Sequence, residues 1–212
     1  MTTAPAVQAF LYALVALLVI IDPIGTAALF AAMTPNDTRA EQAEQAKRAS
    51  LIALIVLAAF GLAGEGLLRA LGIGLPAMKV AGGVLLFLTA ADMVTAHGAL
   101  RATPREREAA RRTPDISVFP LAIPLIAGPG AMTTMVLLRS AARGDFASVA
   151  AIELALLVAI AATLAALLAA RAVARLLGEV GANVIGRVLG VLLAAMAAQI
   201  ALDGVRESLG LR

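Results

Sequence analysis

Asp22-Pro23-Ile24-Gly25-Thr26 interrupts the first long apolar stretch of the chain, with Phe10 to Ile21 running before it and Ala27 to Met33 after it. Each of the first, second and fourth residues is out of place in a simple membrane anchor. Proline removes a backbone donor and clashes with the preceding turn. Glycine permits unwound backbone. An aspartate in hydrocarbon is costly and faces protein, water or a ligand. The same breach recurs where Ala127-Gly128-Pro129-Gly130-Ala131-Met132-Thr133-Thr134 cuts the apolar run Val118 to Leu138. Two interrupted apolar segments at corresponding positions of two halves mark the binding site of a transporter.

The rest of the chain fits that reading. Its 212 residues are 61% hydrophobic and 15% charged, with a mean hydropathy of +0.95. Soluble domains carry about a quarter charged residues, so this is an integral membrane protein. With no cysteine and one histidine, His97, disulfide, thiolate and multi-histidine metal chemistry are excluded, and no metal or cofactor is expected. A net charge of +3 is too small to argue for nucleic acid. Lys47 and Lys79 are the only lysines among 17 basic residues. That bias, with abundant alanine, points to a G+C-rich coding sequence and so to a bacterial cytoplasmic membrane. No basic residue precedes the first apolar stretch, as a signal peptide would require, so the stretch is expected to stay as a membrane helix.

A spanning helix needs about 20 apolar residues, which divides the chain into six segments. They are expected at about 7–33, 49–70, 76–96, 116–141, 146–177 and 183–205, with the first and fourth broken. Arg39 to Arg48 reads as polar and helical, with Glu44 placed i,i+4 before Arg48. Glu65 and Arg69 form a second such pair. Asn183 reads as a cap and Asp203-Gly204 as a helix stop. The halves repeat: Gly83-Val84-Leu85-Leu86 matches Gly190-Val191-Leu192-Leu193 at a spacing of 107, and Pro23 and Pro129 are 106 apart. Three spans per repeat force the second half to be inverted. The expected architecture is thus an all-α polytopic membrane protein of two inverted three-helix repeats, 1–98 and 116–212, in a single transmembrane domain. A polar cytoplasmic linker, 99–115, joins them. The loops after segments one, three and five hold Arg39, Lys47, Arg48, Arg101, Arg105, Arg107, Arg111, Arg112, Arg171 and Arg175. The other side holds fewer, so the positive-inside rule places both termini outside.

Taken together, Ile21-Asp22-Pro23-Ile24-Gly25, Ala81 to Met93, Ile123 to Ala131 and Arg187 to Gln199 resemble the MarC family of bacterial and archaeal membrane proteins, across nearly the whole chain. That family is also called the neutral amino acid transporter family, after members that move alanine, glycine and similar solutes. The resemblance implies this fold and that substrate class. Many members carry a proline shortly after Asp-Pro-x-Gly, where this chain reads Thr26-Ala27-Ala28-Leu29.

The residues themselves suggest the chemistry. Half-helices starting after Pro23 and Pro129 expose the N–H groups of about Gly25 to Ala28 and of about Gly130 to Thr133, where an amino acid carboxylate fits. Carbonyls freed before each break accept from an ammonium. Asp22 pairs with that ammonium or carries a coupling proton, or else caps the second half-helix. Thr26, Thr133 and Thr134 offer hydroxyls, while Gly25, Gly128 and Gly130 leave room against backbone. Against this stands the bland alternative that each break is only a kink, since proline and glycine are common in membrane helices. Asp92 and Gln199, at equivalent places in segments three and six, read as a polar pair lining the pathway or relaying a proton, or else as helix-end and inter-repeat contacts. Glu153 reads as structural, and Gly82, Gly83, Gly186 and Gly190 as helix contacts. The function expected is a secondary transporter for small neutral amino acids, working by alternating access with protons as the coupling partner. The alternatives are a channel or exporter for another small solute, and a membrane protein that moves no amino acids. An intramembrane enzyme lacks its nucleophile–base pair. Apart from substrate and protons, the expected partner is membrane lipid.

Overall fold

The structure is a computed structural model that describes residues 5–95, 115–142 and 144–210. Among these it is built of helices. They are α1 (Pro5–Ile21), α2 (Pro23–Met33), α3 (Arg39–Ala70), α4 (Leu75–Thr95), α5 (Ser117–Ile126), α6 (Pro129–Ala141), α7 (Phe146–Leu168) and α8 (Ala170–Ser208). By length and composition five stretches can cross a membrane: Pro5–Met33, Arg39–Ala70, Leu75–Thr95, Phe146–Leu168 and Asn183–Ser208. The pair α5 and α6, bent by 54°, counts as a sixth when it is taken as one broken span rather than a re-entrant loop. The linker 99–115 lies outside the described residues except for Asp115, and so does His97.

Several boundaries move from their expected places. The polar run from Arg39 is helical as expected and forms the first turns of α3, 32 residues long, continuous with the second apolar segment. Thr38 starts it with a reciprocal capping box, its side chain accepting from the Glu41 N–H while Glu41 accepts from the Thr38 N–H. Arg48 leaves Glu44 and pairs with Asp115, Nη1 to Oδ2 at 2.7 Å. Glu65 and Arg69 pair as expected. The fifth span ends at Leu168, and a short helical stretch from Ala170 precedes a single break at Gly178, where φ is +59°. Asn183 and Asp203 lie inside α8, which runs on to Ser208, so neither caps nor stops it.

Helix pairing is mainly between the two halves of the chain. The closest union joins α4 to α8; α1 packs on α7, α3 on α5, α6 and α7, and α2 on α7 and α8. The α4–α8 contact is antiparallel and reciprocal. A Cβ on Gly83 would lie 2.8 Å from the Ala197 carbonyl oxygen and 2.8 Å from Ala201. A Cβ on Gly190 would lie 3.1 Å from the Ala90 carbonyl oxygen and 3.0 Å from Val94. Adding 107 to the first helix's residues converts one set of contacts into the other, the relation that a two-fold axis between inverted halves would produce. Small residues bring these backbones together, as membrane packing requires. Gly82 and Gly204 extend the same role, against Thr133 and against Pro76 and Lys79, whereas Gly186 meets nothing among the described residues.

Candidate functional site

The two breaks are built differently. In the first, Pro23 pushes the residue before it out of the helical region, and Asp22 adopts φ 47°, ψ 74°. Asp and Asn are the side chains that tolerate this left-handed conformation best after glycine. Hydrogen bonding nearly bridges the gap: Asp22 N–H reaches the Leu18 carbonyl at 3.0 Å and Thr26 N–H the Asp22 carbonyl at 2.9 Å. The Asp22 side chain accepts from Gly25 N–H at 3.0 Å, and Thr26 Oγ1 donates to the Ile21 carbonyl at 2.8 Å. Span one therefore continues through a single left-handed residue. Pro23, having no N–H, leaves the Val19 carbonyl without its helical partner.

The second break is longer than expected. It begins well before Gly128, because Phe119 (φ −130°, ψ 128°) and Ile123 (φ −130°, ψ 121°) leave helical geometry, each ahead of a proline. Both X-Pro peptides here are cis. The turns are wide, with Leu121 N–H bonding back to Ile116 and Ala127 N–H to Ala122. Pro120 and Pro124, four apart in an apolar run, are the sequence signal for this. Helix α6 then starts at Pro129 with no side-chain cap on its N-terminus. Gly128 is a glycine because a Cβ there would meet the Pro124 carbonyl oxygen at 2.6 Å.

The structure brings these two breaks side by side. A Cβ on Gly130 would lie 2.5 Å from Leu86 Cδ2 and 3.8 Å from Ile20 Cγ2, so the start of α6 sits against α4 and the residues just before Asp22. Asp22 is fully buried, and Thr26, Thr133 and Thr134 are almost so. An aspartate in the centre of a spanning helix costs about 3 kcal/mol, here offset in part by the Gly25 bond. Thr134 Oγ1 is buried with no hydrogen-bond partner among the described residues. Of the N–H groups expected to be free at the first half-helix, those of Gly25 and Thr26 are taken by Asp22 itself. The uncapped N-terminus is that of α6.

Asp92 and Gln199 are not brought together. Asp92 is buried at the Gly190 end of the α4–α8 contact, while Gln199 lies near the level of Gly83. Gln199 is exposed, and its Nε2 donates to Asp203 Oδ1 at 2.8 Å. The reason lies in the antiparallel packing of α4 on α8, which puts positions 107 apart at opposite ends of the contact. Thr89 and Thr95 turn back onto the Leu85 and Ala91 carbonyls rather than lining a path with Asp92. Glu153 lies 4.0 Å from Arg139 Nε, which donates to the Gly61 carbonyl, tying α7, α6 and α3 together.

A family model described as MarC family integral membrane protein matches residues 7–209. Among curated relatives, a UPF0056 membrane protein of Methanocaldococcus jannaschii is 35% identical over 70% of this chain and 74% of its own length. The UPF0056 membrane protein YvbG of Bacillus subtilis is 30% identical over 67% of this chain and 68% of its own. One from Aquifex aeolicus is 35% identical over 61% of each chain, so the match spans less than two thirds of that relative. No solved structure gives a significant match.

Proposed function

The chain belongs to the MarC family of integral membrane proteins, and from that premise we propose that it is a secondary transporter moving small neutral amino acids, of the alanine and glycine class, by alternating access. The observation that carries this reading is the juxtaposition of the two breaks, with an uncapped helix end and an unpartnered Thr134 hydroxyl on one side and a buried carboxylate on the other. The substrate carboxylate binds at the N-terminus of α6, near Gly130. Its ammonium meets Asp22 and the Val19 carbonyl. Thr134 Oγ1 adds a hydrogen bond, and the close fit of Gly130 against Leu86 and Ile20 restricts the side chain to a small one. Asp22 carries the coupling proton.

Asp22, Gly130 and Thr134 are buried, so substrate reaches them only when the halves part, which is the motion alternating access needs. The reciprocal α4–α8 contact supports two inverted halves rocking about that axis. We place the arginine-rich end in the cytoplasm, with both termini on the outer side of a bacterial inner membrane.

The test is uptake of labelled alanine and glycine into proteoliposomes, with and without an imposed pH gradient. Saturable, competable uptake is expected. A folded protein that moves no small amino acid overturns the substrate class and turns the search to other small solutes.

A further inference from the structure

Three arginines from distant parts of the chain converge at one end of the bundle. Arg39 is the first residue of α3; Arg171 and Arg175 lie one helical turn apart just past the end of α7. Together with Gln42 and Leu168 they line an open cleft of about 220 Å³. Among the described residues no carboxylate lines it. Two carboxylates near the start of α3 are engaged elsewhere: Asp37 Oδ2 accepts from Gln45 Nε2 at 2.8 Å, and Glu41 accepts from the Thr38 N–H at 2.7 Å. Arg171 is held in place by donating to the Asp37 carbonyl, which leaves much of its donor fork unused. Arg39 and Arg175 are exposed.

A cleft lined by three guanidinium groups, with no acid among the described residues of its walls, matches an anion with several oxygens, above all a phosphate. Its position adds to this. It sits where the 23-residue apolar helix α7 stops, and Leu176, beside Arg175, is 85% exposed. A short helical stretch with arginines toward a cleft and a bare leucine beside them suits the plane of the membrane surface. We propose that this cleft binds a phosphate group, carried by an anionic phospholipid headgroup or by a free phosphate, as a site separate from the paired breaks. The site rests on the membrane-spanning fold and not on the transport reading.

The experiment uses the full chain in neutral detergent micelles and follows thermal unfolding while phosphatidylglycerol, phosphatidylcholine or inorganic phosphate is titrated in. The variants are Arg39→Gln with Arg175→Gln, which spares the Arg171–Asp37 bond, and Arg69→Gln at the opposite end of α3 as a control. Saturable stabilisation by phosphatidylglycerol is expected, with a midpoint raised roughly thirtyfold in the double variant and unchanged in the control. The same pattern with inorganic phosphate supports the site and names the free anion as its source. If the double variant does not fold, Arg175→Gln alone is read, with a smaller shift in the same direction. Equal midpoints in wild type and variant, or equal stabilisation by phosphatidylcholine, would overturn the proposal.

Discussion

The carboxylate of Asp22 accepts a hydrogen bond from the Gly25 N–H at 3.0 Å, three residues further along the same span. That bond gives Asp22 a structural task that any test of proton coupling has to hold constant. Asparagine offers the same acceptor oxygen and tolerates the left-handed backbone, so Asp22→Asn keeps the cap and removes only the charge. Alanine loses the acceptor and is strained at φ 47°, a combined cost of about 2 kcal/mol. The expected result is a melting temperature near wild type for Asp22→Asn and a clear drop for Asp22→Ala. Uptake by Asp22→Asn should no longer respond to a pH gradient. A retained response would assign coupling to another group.

Thr134 separates binding from stability more cleanly. Its hydroxyl is buried without a partner among the described residues, a state that costs about 1–3 kcal/mol when nothing satisfies it. Thr134→Val keeps the shape and deletes the unsatisfied group, so the substrate-free protein should be as stable as wild type or more so. If the hydroxyl meets substrate, the KM for alanine should rise several-fold. A stabilised variant with unaltered uptake kinetics would show that Thr134 has no part in the site.

How much of this was legible follows from which signals are local. Pro23 and Pro129 stand in apolar runs, so both breaks are readable from composition alone. The six spans follow from hydropathy, and Gly83 and Gly190 follow from their 107-residue offset. The character of each break is not readable that way. Whether Asp22 caps its own helix depends on a backbone angle, and the early unwinding of span four depends on Pro120 and Pro124 acting jointly. The pairing of Arg48 with Asp115 over Glu44 is a tertiary choice that i,i+4 reasoning does not contain. Asp92 and Gln199 occupy matching sequence positions, but the antiparallel contact of α4 with α8 sets those positions apart, which an offset in sequence does not show.

The glycine contacts give a packing prediction with an internal control. At Gly83 the atoms a Cβ would meet include the Ala197 carbonyl oxygen and the Ala201 nitrogen, both at 2.8 Å. Backbone cannot step aside, so Gly83→Ala should destabilise by about 1–3 kcal/mol by forcing α4 away from α8. At Gly186 nothing among the described residues lies within 4 Å, and Gly186→Ala should be neutral or stabilise by up to about 1 kcal/mol through helix propensity. Thermal unfolding of the two variants side by side makes the comparison. Equal effects would mean that α4 and α8 are not packed at Gly83 as described.

Asp115 supplies the pH dependence. The Ser117 side chain and N–H hold its carboxyl below the ordinary carboxylate range, with Arg48 adding to this against a partial burial that raises it. The Ser117 N–H donates to Asp115 Oδ1 at 2.8 Å, and Arg48 approaches Oδ2 at 2.7 Å. A depressed pKa in the folded state means that the unfolded chain takes up its proton first as pH falls. The stabilisation is therefore complete above the ordinary aspartate pKa of about 4 and is lost as pH drops through the lower folded value. Asp115→Asn should melt below wild type at pH 7, and the gap should close on titrating toward pH 3. Because Arg48 and Asp115 are 59% and 44% exposed on their side chains, high salt should remove much of the Arg48 share and leave the Ser117 share. A gap between wild type and Asp115→Asn that stays constant from pH 7 to pH 3 would show that this carboxylate contributes no linkage.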